Sequence, residues 1–206
     1  MSHAIKKKGR PLSFDRTEAL HKAMILFWQH GYEATSLNDI TTTLGVKPSS
    51  IYSAFGDKKR LFLDAICLYL SGPVTSETII EQAECARDAA QELLRIAAIG
   101  FTGKDTPPGC LLASSAISCS HEANDVKVEL AAIRRRIEAH LCTRILKSID
   151  DKQLPDNADA EGLAAMTMAV IQGMSTLARD GASREKLFRI GDIAMQVWPK
   201  DNSRLV

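Results

Sequence analysis

An all-helical fold is what this 206-residue sequence predicts: a three-helix head followed by a larger helical body, about nine helices in all. Three observations carry that expectation. Apolar residues recur at three- and four-residue spacing along most of the chain, strand-like alternation is scarce with aromatics at only 5%, and capping residues alternate with glycine stops. An apolar share of 45% beside 25% charged residues is that of an ordinary globular protein, and the length suffices to bury a core.

The elements follow in order. Asp15 with Glu18 three residues on opens a first helix over 15–30, in which Leu20, Ala23, Met24 and Phe27 share a face until Gly31 stops it. Ser36 and Asp39 repeat the capping pattern for a two-turn helix whose apolar side is Leu37, Ile40 and Leu44, closed by Gly45. Pro48, welcome in a first turn, begins a third helix over 48–55 with Ile51 and Phe55 on one face, and Gly56 ends it. Asp57 caps a fourth, carrying Leu61, Phe62, Ala65, Ile66 and Tyr69 and ending near Gly72-Pro73. Longer helices are expected at 76–101, 110–119, 123–149, 159–180 and 184–197, with the proline-containing stretches 103–109 and 150–157 as connections. The expected division is a head at 1–57, a connecting helix at 58–72 and a body at 73–206.

Charge separates the same parts. Residues 1–60 carry 10 Lys and Arg against 5 Asp and Glu, a balance of +5, which leaves −4 for the rest. Such asymmetry points to a nucleic-acid-binding head on a neutral-to-acidic body. No stretch approaches a membrane span, and the basic start is not followed by an apolar run, so a cytoplasmic protein without a membrane partner is expected. Cys67, Cys85, Cys110, Cys119 and Cys142 contain no CxxC pair, and His140 and Cys142 face different directions on a helix. Free thiols and no metal site follow. GxSxG, HExxH, P-loop and dinucleotide glycine patterns are all missing, which argues against an enzyme and against a cofactor.

Two short helices around a glycine turn cannot bury their apolar anchors alone, so the first helix must supply a third wall. In that geometry the N-terminal end of the second helix of the pair, here Lys47-Pro48-Ser49-Ser50, enters the major groove. Thr35, Ser36, Tyr52 and Lys58 are the candidate phosphate contacts. Arg10, in the basic arm with Lys6, Lys7 and Lys8, is a candidate for the minor groove or for non-specific attraction.

The run Gly31-Tyr32-Glu33-Ala34-Thr35-Ser36-Leu37-Asn38-Asp39-Ile40, followed by Leu44-Gly45-Val46, Ile51-Tyr52, Phe55-Gly56 and Lys58-Lys59-Arg60-Leu61, resembles the N-terminal signature of the TetR family of repressors. Thr41 departs from the alanine usual there. The resemblance implies an all-helical homodimer with one recognition helix per subunit, base contacts from Lys47, Ser49 and Ser53, phosphate contacts from Thr35, Ser36, Tyr52 and Lys58, and a palindromic double-stranded operator.

The body offers a dimer face and a ligand site. In the helix at 159–180, Ala165, Ala169 and Gly173 recur every four residues as a low ridge over which another helix could approach, beside Leu177. With Leu187, Ile190, Gly191 and Ala194 of the last helix they are the expected halves of a four-helix interface. Phe101, Cys110, Leu111, Ile137, Leu141, Met166 and Met174 are the candidate walls of a cavity for an unidentified small-molecule effector. Cys110 follows Pro107-Pro108-Gly109 at an expected helix start, where a thiol pKa would fall. Three regulatory readings therefore stand open: a repressor relieved by an effector, a thiol-based sensor of oxidants or electrophiles, and an architectural DNA-binding dimer with no effector.

Overall fold

The computed structural model describes residues 14–117 and 120–200. Among them the chain forms ten α-helices and a 3₁₀ turn, with no strand: α1 (Arg16–His30), α2 (Leu37–Leu44), α3 (Pro48–Phe55), α4 (Lys58–Leu70), α5 (Ser76–Gln82), α6 (Ala86–Phe101), α7 (Leu111–Ser114), the turn His121–Ala123, α8 (Asn124–Asp150), α9 (Ala160–Arg179) and α10 (Arg184–Ala194). Arg10 and Lys6, Lys7 and Lys8 lie outside the described residues, as does Cys119.

The capping chemistry read from the sequence is present. Asp15 accepts from the amides of Thr17 and Glu18, Ser36 and Asp39 form a reciprocal box, and Asp57 caps α4; Asp159 and Ser183, not singled out in the sequence, cap α9 and α10. Each such cap is worth about 1 kcal/mol.

Three boundaries differ from expectation, and tertiary contacts mark the first and the last of them. The single helix expected at 76–101 is two, broken at Ala83–Cys85. There Arg144 of α8 donates to the Ala83 and Glu84 carbonyls at 2.9 and 2.8 Å, while the Ala86 amide donates to the buried Ser148 hydroxyl at 3.0 Å. The helix expected at 110–119 shrinks to four residues. The last helix ends at Ala194, after which a turn sends Trp198 back into the core at 3% exposure, with Arg87 binding the Met195 and Trp198 carbonyls.

Two apolar clusters organise the chain. The first gathers Phe27, Ile40, Ile51, Phe55, Leu61 and Phe62 from α1–α4 and runs without interruption into Leu111 and Leu112 of α7, Leu130 and Ile137 of α8 and Met168 of α9. The second joins α6, the C-terminal half of α8 and both ends of α9 to α5 and α10 through Ile80, Leu94, Leu141, Ile145, Leu163, Met174 and Leu187. The three-helix head is thus seated on the body through shared core.

Candidate functional site

The outer surface of the head is built by what its inner surface must bury. Ile51 and Phe55 of α3 point inward at 0% and 3% exposure, so the opposite face turns out: Lys47, Pro48, Ser49, Tyr52 and Ser53 are exposed and Ser50 is half-buried. Gly45, at φ 65° in the left-handed region, makes the α2–α3 corner and sends its amide back to the Thr41 and Thr42 carbonyls. Lys47 occupies the N-cap of α3 without a side-chain capping bond, which leaves the positive end of that helix uncapped by its own N-cap residue. Arg16 ties the corner together by lying 4.7 Å over the Phe55 ring and pairing with Asp64 at 2.8 Å.

Two hydroxyls expected to face phosphate are otherwise engaged. Thr35 is 1% exposed, and its hydroxyl donates to the Gly31 carbonyl at 2.6 Å. The Ser36 hydroxyl donates to the Asp39 carboxylate at 2.6 Å and accepts the Asp39 amide, which holds that carboxyl below its ordinary pKa. Lys58 reaches back over Tyr32, with Nζ 4.4 Å from the ring centroid and 3.4 Å from the Glu33 carbonyl. It therefore holds the loop between α1 and α2.

Beneath the head lies a cavity of about 880 Å³, within the range of small-molecule sites. Phe101, Cys110 and Ile137 line it as expected, with Ile96, Ile99 and Leu112. Leu111, Leu141 and Met174 do not: they sit at 0%, 0% and 1% exposure inside the clusters, because the α7, α8 and α9 faces that carry them meet other helices. Met166 is half-buried against the second cluster and is also absent from the wall. The missed wall residues include Trp28 of α1, Tyr69 and Leu70 of α4, Arg134 of α8, and Met168, Ile171 and Gln172 of α9. Trp28 had a signal in the sequence, since α1 is apolar on more sides than a surface helix needs. Arg134, in a run of three arginines, had none.

Cys110 corrects another expectation. It does stand at the N-cap of α7, yet burial pushes its thiol up from 9.0, outweighing the hydrogen bonds that pull the other way. Four residues of helix supply too little dipole to compensate. Tyr69 donates its hydroxyl to the Cys110 sulfur at 3.3 Å, and its own phenol is raised well above 10.0 by desolvation. Both groups are protonated at neutral pH.

Head and body are latched together around this point. The Trp28 indole donates to the Gly109 carbonyl at 3.2 Å, the Tyr32 amide to the Ser115 carbonyl at 2.8 Å, and Arg179 of α9 to the Trp28 and Gln29 carbonyls, both at 3.0 Å. Arg179 thereby satisfies carbonyls at the end of α1 that have no helical partner. Gly109 sits at φ 81°, and a Cβ there would stand 2.8 Å from both Arg179 and the Ser175 carbonyl. The latch leaves no room for a side chain.

On the far side of α9, Ala165, Ala169 and Gly173 are exposed together, and a Cβ on Gly173 would meet nothing within 4 Å. Leu177, Ile190 and Ala194 are half-buried, with Ile193 and Val197 exposed at 60% and 65% beside them. Leu187 and Gly191, expected on this face, belong inside the chain: Leu187 is fully buried, and Gly191 packs where a Cβ would touch Leu94 at 3.4 Å.

Both halves of this arrangement match known proteins. Residues 19–65 match the model of bacterial regulatory proteins of the tetR family, and residues 87–190 match a tetracyclin repressor-like C-terminal domain. The chain belongs to the TetR family. It is 37% identical over 203 residues to the HTH-type transcriptional repressor ComR of Escherichia coli (strain K12), covering 95% of this chain and 94% of ComR. It is 27% identical over 180 residues to the HTH-type transcriptional repressor BdcR of the same organism, covering 87% and 86%. Among solved structures, a cysteine-substituted form of the TetR family regulator CifR complexed with 26-base-pair double-strand operator DNA superposes with a TM-score of 0.88. The two share 35% identity over 93% of this chain and 100% of that one. As a TetR-family member the chain is a DNA-binding transcription regulator, in a family of regulators rather than enzymes. No helix among its described residues is long and apolar enough to cross a membrane.

Proposed function

We propose that the chain is a cytoplasmic homodimeric repressor that holds a palindromic operator through two copies of α3 and releases it when a small molecule occupies the cavity. The observation that carries the regulatory half is the make-up of the cavity wall: Trp28 belongs to α1 of the head, Tyr69 and Leu70 to the connecting helix α4, and most of the remaining wall to the body. A ligand bound there touches the head without an intermediary. Differential contact with two arrangements of α1 and α4 is what a ligand needs to shift their populations.

In the DNA-bound state Lys47, Ser49 and Ser53 face base edges, and Tyr52 with Lys58 contacts phosphate. The amide of Ser49, rather than the Thr35 hydroxyl, presents a donor at the start of α3. The exposed ridge of Ala165, Ala169 and Gly173, with Ile190, Ile193 and Val197, forms the two-fold contact that sets the spacing of the heads. Selection from a randomised duplex library tests this. The enriched sequences are expected to be two-fold symmetric with half-site centres about 34–36 Å apart or a multiple of that distance, whereas enrichment of unpaired single half-sites would contradict it.

Covalent sensing at Cys110 is a second reading, favoured by the position of its sulfur in the cavity wall. Burial keeps that thiol protonated, so the reading requires an electrophile that partitions into the cavity rather than one attacking from water. An architectural dimer without an effector leaves a cavity shared by head and body unexplained.

A further inference from the structure

Five charged side chains border the cavity: Glu77, Lys104, Asp105, Arg134 and Arg184. Lys104, Asp105 and Arg184 are exposed at its rim, and Glu77 is half-buried in the first turn of α5. Arg184 is engaged at the end of α6, donating to the Thr102 hydroxyl at 2.9 Å and the Thr102 carbonyl at 3.2 Å. Arg134 differs from all of these. It stands on α8 between the buried Leu130 and Ile137, and its Nη1 donates to the Leu112 carbonyl at 2.7 Å. That is its one hydrogen bond among the described residues, and it joins none of their ion pairs.

A guanidinium carries five N–H donors and keeps its proton at any ordinary pH. One donor here is matched, and the half-buried side chain shares the cavity lining with Trp28, Tyr69, Phe101, Ile137 and Met168. The charged groups acting on Arg134 are the Cys110 thiol, which burial keeps neutral, and its neighbour Arg135, which is repulsive. A half-buried cation without a counter-anion is an unfavourable arrangement for packing alone. An apolar residue would fill the same space at lower cost.

We propose that the cavity selects an amphipathic carboxylate, its acid group paired with Arg134 and its apolar body against Trp28, Tyr69 and Phe101. The proposal rests on reading the cavity as the effector site and names the chemical class that site takes. The planar fork of arginine matches a carboxylate with two parallel hydrogen bonds.

The test compares matched probes on the full chain by isothermal titration: 2-naphthylacetate against 2-naphthylacetamide, and decanoate against decan-1-ol. The acid of each pair is expected to bind about 10–100-fold more tightly than its neutral partner. Arg134→Met is expected to abolish the preference while retaining the neutral probes, and Arg134→Lys to keep part of it. Thermal unfolding of the unliganded variants separates loss of fold from loss of recognition, and the comparison on the native chain needs no variant. Neutral probes binding as well as the acids would overturn the proposal and leave the effector site standing. Failure of all four to bind would overturn the effector-site reading and the proposal with it.

Discussion

Replacing Trp28 with phenylalanine removes the indole N–H that anchors α1 to the segment before α7. Trp28 is 6% exposed and Gly109 is buried, so its carbonyl loses a partner that water cannot readily replace. An unsatisfied buried acceptor costs about 1–3 kcal/mol, and the lost ring area adds about 1 kcal/mol at roughly 25 cal/mol per Å². Part of the vacated space opens into the existing cavity, which limits the packing loss on that side. The sum is about 2–4 kcal/mol, and in a chain of this size each kcal/mol lowers Tm by about 2–4 °C. A fall of about 5–15 °C in calorimetry is expected, together with weakened operator binding, because the end of α1 positions the head. A fall below about 2 °C with unchanged DNA affinity would refute the latch. The sequence contains two tryptophans, so the variant leaves Trp198 as the remaining emitter, and any ligand-dependent quenching assigned to Trp28 must vanish with it.

Lys58→Met is expected to weaken binding to operator and unrelated duplex alike and to flatten the plot of log affinity against log salt by about 1; a change confined to the operator would place Lys58 at a base instead. Ala169→Glu on the exposed face of α9 is expected to yield a folded monomer with at least tenfold weaker operator binding, checked by light scattering and anisotropy; an intact dimer would move the interface elsewhere. The raised Cys110 and Tyr69 groups set an alkaline limit. Because the folded chain holds these protons more tightly than the unfolded one, their contribution is complete below pH 9.0 and drains as pH rises through 9.0 and 10.0 toward the raised values. Urea midpoints are expected to fall more steeply above pH 9.0 for the native chain than for Cys110→Ala, and parallel curves would contradict this.

What the sequence revealed was local in origin. Caps are short-range chemistry, so Asp15, the Ser36–Asp39 box and Asp57 announced three helix starts, and Pro48 with Gly45 and Gly56 bounded α3. The exposed face of α3 followed from the burial of Ile51 and Phe55. What stayed hidden depends on partners distant in sequence. The break at Ala83–Cys85 lies in a segment of good helix formers and is made by Arg144 and Ser148, about 60 residues away. Apolar spacing marked Leu111, Leu141 and Met174 as buried but could not separate packed core from cavity wall, and it placed Leu187 and Gly191 on an outer face that α6 covers. Helical position suggested an acidic thiol at Cys110, where the surroundings impose the reverse.

The most direct test of the central claim is sedimentation and anisotropy of the full chain with a duplex selected from its own genome, measured across a series of salt concentrations. One dimer per two-fold site is expected, with affinity falling steeply and linearly on logarithmic axes as salt rises. A monomer, or an affinity for duplex indifferent to salt, would contradict a pair of α3 helices reading DNA.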